Sequence, residues 1–260
     1  MSQVVRGLRR TGAAGAVALA TLLVAGCGGG DDDSGPPPSA LDRAAGFYEG
    51  TTAGQRKISV IVLETGRYYT IYGPLGSPQS SQIEGVMVGD GTAGGDNFSS
   101  NNLENVNFTF QTSTPGALGA TFALQRYFDA NIAYAGGGTD AFNADYSFDY
   151  EQAPSIGLVA GNYSGQLAAI DGVESAALTI SGSGAVSLAT PGGCSAGGAI
   201  YLHPFGNVYD ITLTYGGAAC PAAGQTLTGH ATYDSATGAL TAITTSPTFA
   251  DVTLVVATKN

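Results

Sequence analysis

The chain has three cysteines, and two of them, Cys194 and Cys220, flank a turn signal at Gly206-Asn207 at equal distances. A hairpin folded at that turn pairs Tyr201 with about Leu213 and brings the two cysteines opposite each other. Thiols so placed oxidise in an exported protein, so the spacing predicts a Cys194–Cys220 disulfide. In the chain-entropy model, closing a loop of this size stabilises the folded chain by about 3 kcal/mol. The alternatives are free thiols or metal ligands, although neither cysteine lies near a second cysteine or a histidine at zinc-finger spacing.

Ser195 is the centre of Gly193–Gly197 (GCSAG), which fits the Gly-x-Ser-x-Gly pattern of a hydrolase nucleophile. That pattern works on a sharp turn between a strand and a helix, with an acid and a histidine later in the chain. The residues around Ser195 are typical of strands, and Cys194 is assigned to the disulfide. The segment therefore does not support a serine hydrolase.

The chain has two histidines, His203 beside the predicted hairpin turn and His230 on the polar face of an alternating strand. Both are interpreted as surface residues, and nothing in their spacing supports a zinc site. Carboxylates are numerous in the N-terminal half, but no two of them are marked as the acid pair of a glycosidase. Solvated charge is the expected role of these residues, which lie at turns and strand ends: Glu49, Glu64, Glu84 and Glu104.

An acidic loop over residues 89–102 (GDGTAGGDNFSSNN) contains Asp90 and Asp96, which backbone carbonyls could help to bind Ca²⁺. The loop lacks the regular aspartate ladder of a calcium-binding loop, and a long hairpin connection needs no metal. Asp90 and Asp96 are therefore candidate ligands without an assigned metal, and no cofactor is predicted.

The third cysteine, Cys27, ends an apolar N-terminal segment. Three arginines precede a run over residues 13–25 that is too short for a bilayer span of about 20 residues but fits an export signal. Val24-Ala25-Gly26-Cys27 resembles the lipobox of bacterial lipoproteins, in which small residues precede an invariant cysteine. The resemblance implies that residues 1–26 are a signal peptide and that Cys27 carries diacylglycerol, with a further acyl chain such as palmitate on its amino group. The alternative is a cysteine that merely follows an ordinary cleavable signal.

Residues 27–45 (CGGGDDDSGPPPSALDRAA) have the composition of a tether, flexible in the glycine part and stiffened by Pro36–Pro38. Loss of the signal removes three of the nine basic residues and none of the twenty acidic ones, which changes the net charge from −11 to −14. This charge excludes electrostatic binding to nucleic acid or to an anionic membrane surface. Gly28 stands where some enteric lipoproteins carry an inner-membrane retention aspartate, so the resemblance implies an outer-membrane anchor, facing the periplasm or the cell surface.

The rest of the chain has the pattern of a β protein, with many of the 40 glycines in turn signals and 11% charged residues. Segment 142–150 (FNADYSFDY) alternates apolar and polar residues. Segment 105–111 (NVNFTFQ) does the same, with Val106, Phe108 and Phe110 on the inner face. These runs predict short antiparallel strands joined by hairpin turns.

The two halves of this β region are similar to each other. Residues 46–50 (GFYEG) match residues 161–165 (GNYSG), and each match is followed by a strand, a glycine turn and another strand. Three further matches pair NVNFTF with NVYDITL, GATF with GHATY, and FNADYSF with FADVTLV. The matches predict a tandem duplication, with one unit over residues 46–157 and the other over residues 158–260.

Each unit has about eight short strands, which close most economically into a small barrel. The predicted fold class is all-β, with two small antiparallel barrels in tandem; one merged barrel or a sandwich is the alternative. The Gly-x-Tyr-x-Gly segments resemble the Gly-x-Trp-x-Gly start of lipocalin and avidin barrels. Paired barrels on a lipid tether are also similar in architecture to Gram-negative surface lipoproteins such as transferrin-binding protein B and factor H binding protein.

These features favour a noncatalytic, membrane-anchored lipoprotein with a binding or envelope-structural role, and a protein or small-ligand partner at the barrel loops. The alternative is a carrier of a small apolar ligand inside one barrel, which requires an open cavity. Filling of the barrels would exclude a carrier, and the residues expected to fill them are Phe108, Phe110, Phe122, Tyr146 and Phe148. An envelope hydrolase remains a third hypothesis, although we expect no enzyme activity.

Overall fold

The computed structural model describes residues 38–77, 79 and 82–260. The predicted signal peptide, Cys27 and the tether up to residue 37 lie outside the described residues. No helix in the described part of the chain is long and apolar enough to cross a membrane.

Nine strands form the first β unit, which we call the N-barrel: β1 (Gly46–Thr52), β2 (Lys57–Val62), β3 (Arg67–Tyr72), β4 (Gly85–Asp90), β5 (Thr92–Gly94), β6 (Asn97–Asn107), β7 (Thr112–Ala123), β8 (Tyr127–Tyr134) and β9 (Thr139–Ser147). Eight strands form the second, the C-barrel: β10 (Gly161–Ala169), β11 (Gly172–Ile180), β12 (Ala185–Ala189), β13 (Ser195–Leu202), β14 (Val208–Gly216), β15 (Thr226–Asp234), β16 (Ala239–Thr245) and β17 (Val252–Lys259). Short helices α1 (Ala40–Ala44) and α2 (Ile156–Val159) precede the first strand of each barrel, and a 3₁₀ turn (Phe148–Glu151) follows β9.

Both units are closed antiparallel barrels. In the C-barrel the strands follow chain order from β10 to β17, and β17 pairs with β10. In the N-barrel the order is β4-β3-β2-β1-β9-β8-β7-β6, and the β4–β6 pairing closes the ring. Strand β5 is a short addition that pairs with β6. The predicted tandem of eight-stranded barrels is confirmed, and the alternative of one merged barrel is wrong.

The two barrels begin in the same way. The side chains of Ser39 and Ser155 cap α1 and α2 by accepting a backbone N–H three residues later. Four residues after the last helical residue lies the tyrosine of each Gly-x-Tyr-x-Gly segment. Tyr48 Oη donates to the carbonyl of Ala44 at 2.8 Å, and Tyr163 Oη donates to the carbonyl of Val159 at 2.5 Å. The predicted internal repeat is thus present in the structure, and α1 adds part of the predicted tether segment to the folded unit.

The second glycine of each repeat segment lies where the first strand crosses the last strand of its barrel. A Cβ atom at Gly50 would lie 1.8 Å from the carbonyl oxygen of Asn143, and one at Gly165 would lie 2.1 Å from that of Val256. Real Cβ atoms do not approach backbone oxygens so closely, so both crossings require glycine.

The register corrects one of the sequence matches between the repeats. Gly50 pairs with Ala144 and Gly165 with Ala257, so Ala144 corresponds to Ala257. The match of FNADYSF with FADVTLV equates Ala144 with Asp251 and is wrong. By contrast, GATF and GHATY both lie on the sixth barrel strand, β7 and β15.

Segment 105–111 was expected to be a strand with three inward residues, but β6 ends at Asn107. The amide of Phe110 donates to Asn107 Oδ1 at 2.8 Å, and Gln111 has a left-handed φ of 53°. The chain therefore turns there, which leaves Phe110 70% exposed. Phe108 is buried between the barrels and not inside one. The inward placement of Phe148 is also wrong, because it lies in the 3₁₀ turn and is 68% exposed.

Each barrel has an apolar core inside it. A third apolar core joins the outer faces of the two barrels, and we call this contact the seam. From the N-barrel it includes Ile61, Tyr69, Val86, Val88, Val106 and Phe108, and from the C-barrel Ala168, Val208, Ile243, Phe249, Val252 and Leu254. Strands β2, β3 and β4 are therefore apolar on both faces, because one face lines the N-barrel and the other packs in the seam. The described part of the chain is a single compact unit.

Candidate functional site

Two polar side chains meet on the outer face of the C-barrel because their strands pair. Asp210 on β14 is the register partner of His230 on β15. Their neighbours Tyr209, Ile211 and Ala231 are buried inside the barrel, so both polar residues point outward. Directly opposed residues on antiparallel strands lie within side-chain contact. His230 Nε2 lies 3.5 Å from Asp210 Oδ1.

His203 adds a second imidazole from the β13–β14 turn. Its backbone N–H donates to the carbonyl of Val208 at 3.1 Å, which fixes the turn residue beside β14. Its Nδ1 lies 2.7 Å from Asp210 Oδ1. The rings of His203 and His230 are nearly perpendicular, with centroids 5.4 Å apart. Three potential metal-ligand atoms therefore surround one position, all within 4.8 Å of one another.

The N-barrel covers this group from across the seam. Glu64 lies in the β2–β3 turn, where its two carboxylate oxygens are 3.1 and 3.2 Å from His203 Nε2. Tyr69 points outward from β3, and its Oη is 2.9 Å from His230 Nδ1. We call these five residues the seam cluster. Each imidazole contacts Asp210 through one nitrogen and the N-barrel through the other.

The seam cluster is largely shielded from water but has one open side. The exposed fractions of the side chains are 7% for His203, 15% for Glu64 and 18% for His230, against 45% for Asp210. Burial lowers the pKa of His230 to about 4 despite the opposing effect of Asp210, so this imidazole is neutral at pH 7. Burial also raises the pKa of Tyr69 to about 12, which keeps the phenol protonated. The cluster therefore brings imidazole nitrogens and carboxylate oxygens together in one place.

The sequence interpretation of His203, His230 and Glu64 as surface residues is wrong. Part of the cluster is predictable from the sequence, because a correct β14–β15 register places His230 opposite Asp210. The contributions of Glu64 and Tyr69 depend on the packing of one barrel against the other, which no local pattern specifies.

The acidic segment 89–102 is not a long loop, because β5 and β6 form a hairpin within it. Asp90 ends β4, and its Oδ1 lies 2.6 Å from Nε of Arg67. Asp96 lies in the β5–β6 turn with its Oδ1 2.9 Å from Nη1 of Arg43. Each of the candidate calcium ligands is therefore engaged by an arginine.

The structure contains the predicted Cys194–Cys220 disulfide, with a Cα–Cα distance of 4.5 Å. The hairpin register differs from the expectation, because Tyr201 pairs with Asp210. Cys194 immediately precedes β13, and Cys220 lies in the loop after β14, so the bond joins two loops at one barrel end. Ser195 begins β13 between paired strands, without the strand-to-helix turn of a hydrolase nucleophile.

Aromatic side chains fill the interiors of both barrels. In the C-barrel the buried phenols include Tyr163, Tyr209 and Tyr215, and Tyr215 Oη bonds to Thr253 Oγ1 at 2.6 Å. In the N-barrel the large buried side chains are Tyr48, Tyr68, Phe98, Phe122, Phe128 and Phe142. Of the residues expected to fill a barrel, Phe122 does so, and Tyr146 packs partly buried against the N-barrel core. Cavities remain along the seam, at one end of the N-barrel and beside strands β6–β9 of the N-barrel.

The cavity beside β6–β9, of about 1000 Å³, is open to solvent and includes Phe98, Leu118, Ile132 and Phe142 in its walls. Two smaller cavities also occur among the described residues. One, of about 330 Å³, lies along the seam between β2 and β15 and includes Lys57, Ser59, Asn207 and Thr232 in its walls. The other, of about 310 Å³, lies at one end of the N-barrel beside Arg56, Tyr72 and Asp140. The seam cavity has mixed walls that also include Ile58, Val60 and Ile71, and the cavity at the barrel end has charged side chains in its wall.

Comparison with known proteins gives little beyond this geometry. No family model matches the chain, and no curated protein matches it either. Among solved structures, it is similar to a mutant of transferrin-binding protein B, a vaccine antigen from Haemophilus parasuis, with 8% identity and a TM-score of 0.26. The match covers 80% of this chain and 65% of that chain, just under two thirds of its length. A similarity of this degree carries no argument about function, which must come from the residues.

Proposed function

We propose that this protein is a lipid-anchored component of the bacterial cell envelope whose fused barrels form a rigid, noncatalytic binding module. The observation that carries the proposal is the filling of both barrels together with the apolar seam between them. A rigid body of this kind leaves recognition to its turns and surface clefts. The filled interiors also argue against the carrier of a small apolar ligand.

The anchor in this proposal is Cys27, on the strength of the lipobox resemblance. Palmitate labelling of growing cells, followed by membrane fractionation, tests it. We expect the wild-type chain to be labelled and to fractionate with the outer membrane. Cys27→Ser should lose the label and no longer fractionate with the outer membrane. Labelling that persists in Cys27→Ser would refute the anchor.

Exposed apolar side chains on turns are the best candidates for partner contact. Phe110 in the β6–β7 turn is 70% exposed, and Phe205 in the β13–β14 turn is 56% exposed. Aromatic side chains are enriched at protein interfaces relative to the rest of the surface. The partner class we propose is therefore another envelope protein and not a nucleic acid.

A photo-crosslinking amino acid at either turn position tests this surface in living cells. We expect Phe110 or Phe205 replacements to yield a discrete adduct with a second protein. The matched control is Thr179, an exposed residue near the end of β11. Protease treatment of intact cells in the same experiment shows whether the module faces the surface or the periplasm. Adducts that are equally abundant at Thr179, or absent at both turns, would contradict a turn-borne binding surface.

A further inference from the structure

We propose that His203, Asp210 and His230 bind one divalent transition-metal ion at the seam, and we take Zn²⁺ as the reference ion. Two imidazoles and one carboxylate are a donor set suited to such ions, and three protein ligands leave a further coordination position for water or for a group on a partner. This inference does not depend on lipidation or on the turn-borne partner surface.

The three donor atoms lie within 4.8 Å of one another, and the two separations that involve Asp210 are close to those of a metal centre. Zinc–nitrogen and zinc–oxygen bonds of about 2.0–2.1 Å in a tetrahedron place neighbouring ligand atoms about 3.3 Å apart. His230 Nε2 and Asp210 Oδ1 are already 3.5 Å apart. His203 Nδ1 and Asp210 Oδ1, at 2.7 Å, need to separate by about 0.6 Å. Asp210 has the most exposed side chain of the three and can make this adjustment.

The second nitrogen of each imidazole already has the partner that a ligating histidine needs. A metal-bound histidine usually donates its other N–H to a carboxylate or another oxygen acceptor, which fixes the ring and its tautomer. Glu64 is placed to accept from His203 Nε2, and Tyr69 Oη is placed to accept from His230 Nδ1. The nitrogens left for the ion, Nδ1 of His203 and Nε2 of His230, are the two that face Asp210.

Charge and access are also compatible with an ion. The carboxylates of Asp210 and Glu64 balance its two positive charges. Arg67, the nearby cation, is paired with Asp90 at 2.6 Å. Asp210 forms the open side of the cluster, which provides an entry path. Because Glu64 and Tyr69 belong to the N-barrel, an ion held here also ties the two barrels together.

The competing interpretation is a metal-free network in which a protonated His203 bridges Asp210 and Glu64. Zinc binding measured on the full-length chain distinguishes the two. The chain should carry Cys27→Ser, which removes the one cysteine outside the disulfide, and no histidine tag; it is kept in detergent. Titration calorimetry with ZnCl₂ and metal analysis after dialysis give the affinity and the stoichiometry.

We expect one Zn²⁺ per chain. Asp210→Asn and His230→Gln should each weaken binding by more than about 100-fold, and Glu64→Gln by about 10 to 100-fold. Asp129→Asn, which removes a carboxylate on β8 of the N-barrel, is the matched control and should bind zinc as the wild type does. Circular dichroism of the metal-free variants confirms that each one folds.

The chain has only two histidines, so their NMR signals give a second readout that needs no variant. Zinc should shift the ring resonances of both histidines together, with saturation at one equivalent. The proposal is overturned if the wild type binds no more zinc than Asp210→Asn, or if zinc binds without moving both histidine signals. If the variants fail to fold, the shifts of the wild-type resonances decide the question.

Discussion

The N-barrel and the C-barrel share their construction and differ in the residues added to it. Both begin with a serine-capped helical turn and a buried tyrosine, and both close through a glycine at the crossing of first and last strands. The N-barrel lacks cysteine and histidine and instead holds an ion pair between Arg56 and Glu84, at 2.7 Å, near one end. The C-barrel has the disulfide and both histidines. The repeated residues therefore maintain the barrel, whereas the residues that can form a covalent crosslink or bind a metal ion are not repeated.

The largest effect should come from the glycine that both barrels share. Gly50→Ala and Gly165→Ala each direct a methyl group into backbone atoms of the last strand, so each should lower the free energy of unfolding by about 3 kcal/mol or more. Urea denaturation measures the loss. The controls are Gly119→Ala and Gly197→Ala, strand glycines with open space at the Cβ position, which should change stability by less than about 0.5 kcal/mol. If only one of the two crossing variants is destabilised, the structural equivalence of the barrels is lost.

The next effect should be confined to the C-barrel. Replacing Cys194 and Cys220 together by alanine removes a crosslink across 26 residues and should lower stability by about 3 kcal/mol. Hydrogen exchange should become faster first in β13 and β14, which flank the disulfide, and only later in the N-barrel. Dithiothreitol should reproduce this pattern in the wild-type chain and leave the exchange of the double variant unchanged. Equal acceleration in both barrels would mean that the seam makes them unfold as one unit.

A smaller loss of stability, of the same size in both barrels, is expected at the tyrosines of the two Gly-x-Tyr-x-Gly segments. Tyr48→Phe and Tyr163→Phe each remove one buried hydrogen bond to a helix carbonyl, so each should cost about 1 kcal/mol. The control is Tyr201→Phe, since the Tyr201 side chain is largely exposed and should contribute little. Thermal unfolding of the three variants gives the comparison. A loss at one repeat tyrosine that is several times the loss at the other would show that the helical turns have different roles in the two barrels.

The barrels could be predicted from the sequence because a half-buried strand and its turns leave local patterns. Segment 142–150 alternates as β9 does up to Ser147, and the matching Gly-x-Tyr-x-Gly segments mark the two starts. The seam was missed although it has a signal: KISVIV in β2 and GVMVG in β4 are apolar at consecutive positions, which is typical of strands buried on both faces. An apolar run of this kind indicates that both faces of the strand are buried, but it does not identify the segment that packs on the outer face.

The seam cluster could not be predicted for the same reason. His203 lies beside a hairpin turn and His230 on the polar face of an alternating strand, and polar residues in such places are normally exposed. Their burial comes from Glu64 and Tyr69, residues more than a hundred positions away that approach only when the barrels pack. The disulfide could be predicted despite a wrong register because the loop between Gly216 and Cys220 absorbs the difference.

The smallest expected change in stability concerns the β15–β16 turn of the C-barrel, which contains an acidic residue that the corresponding turn of the N-barrel lacks. In the β15–β16 turn, Asp234 accepts hydrogen bonds from the Thr237 hydroxyl and from the amides of Ala236 and Thr237. The bond from the Thr237 hydroxyl, followed by those from the amides, lowers the pKa of the Asp234 carboxyl below its usual value. Its stabilising contribution is therefore complete above the pKa of the unfolded state and is lost as the pH falls through the folded-state pKa.

Asp234→Asn should consequently lower stability only slightly at pH 7, by less than about 0.5 kcal/mol, because the carboxyl is largely solvent-exposed. The difference from the wild type should shrink as the pH is lowered through the acid range, as measured by urea denaturation at several pH values. The corresponding β7–β8 turn of the N-barrel has no acidic residue between Ala123 and Tyr127 and relies on a left-handed Gln125, with a φ of 52°. A pH-independent difference for Asp234→Asn would assign its role to the shape of the turn and not to its charge.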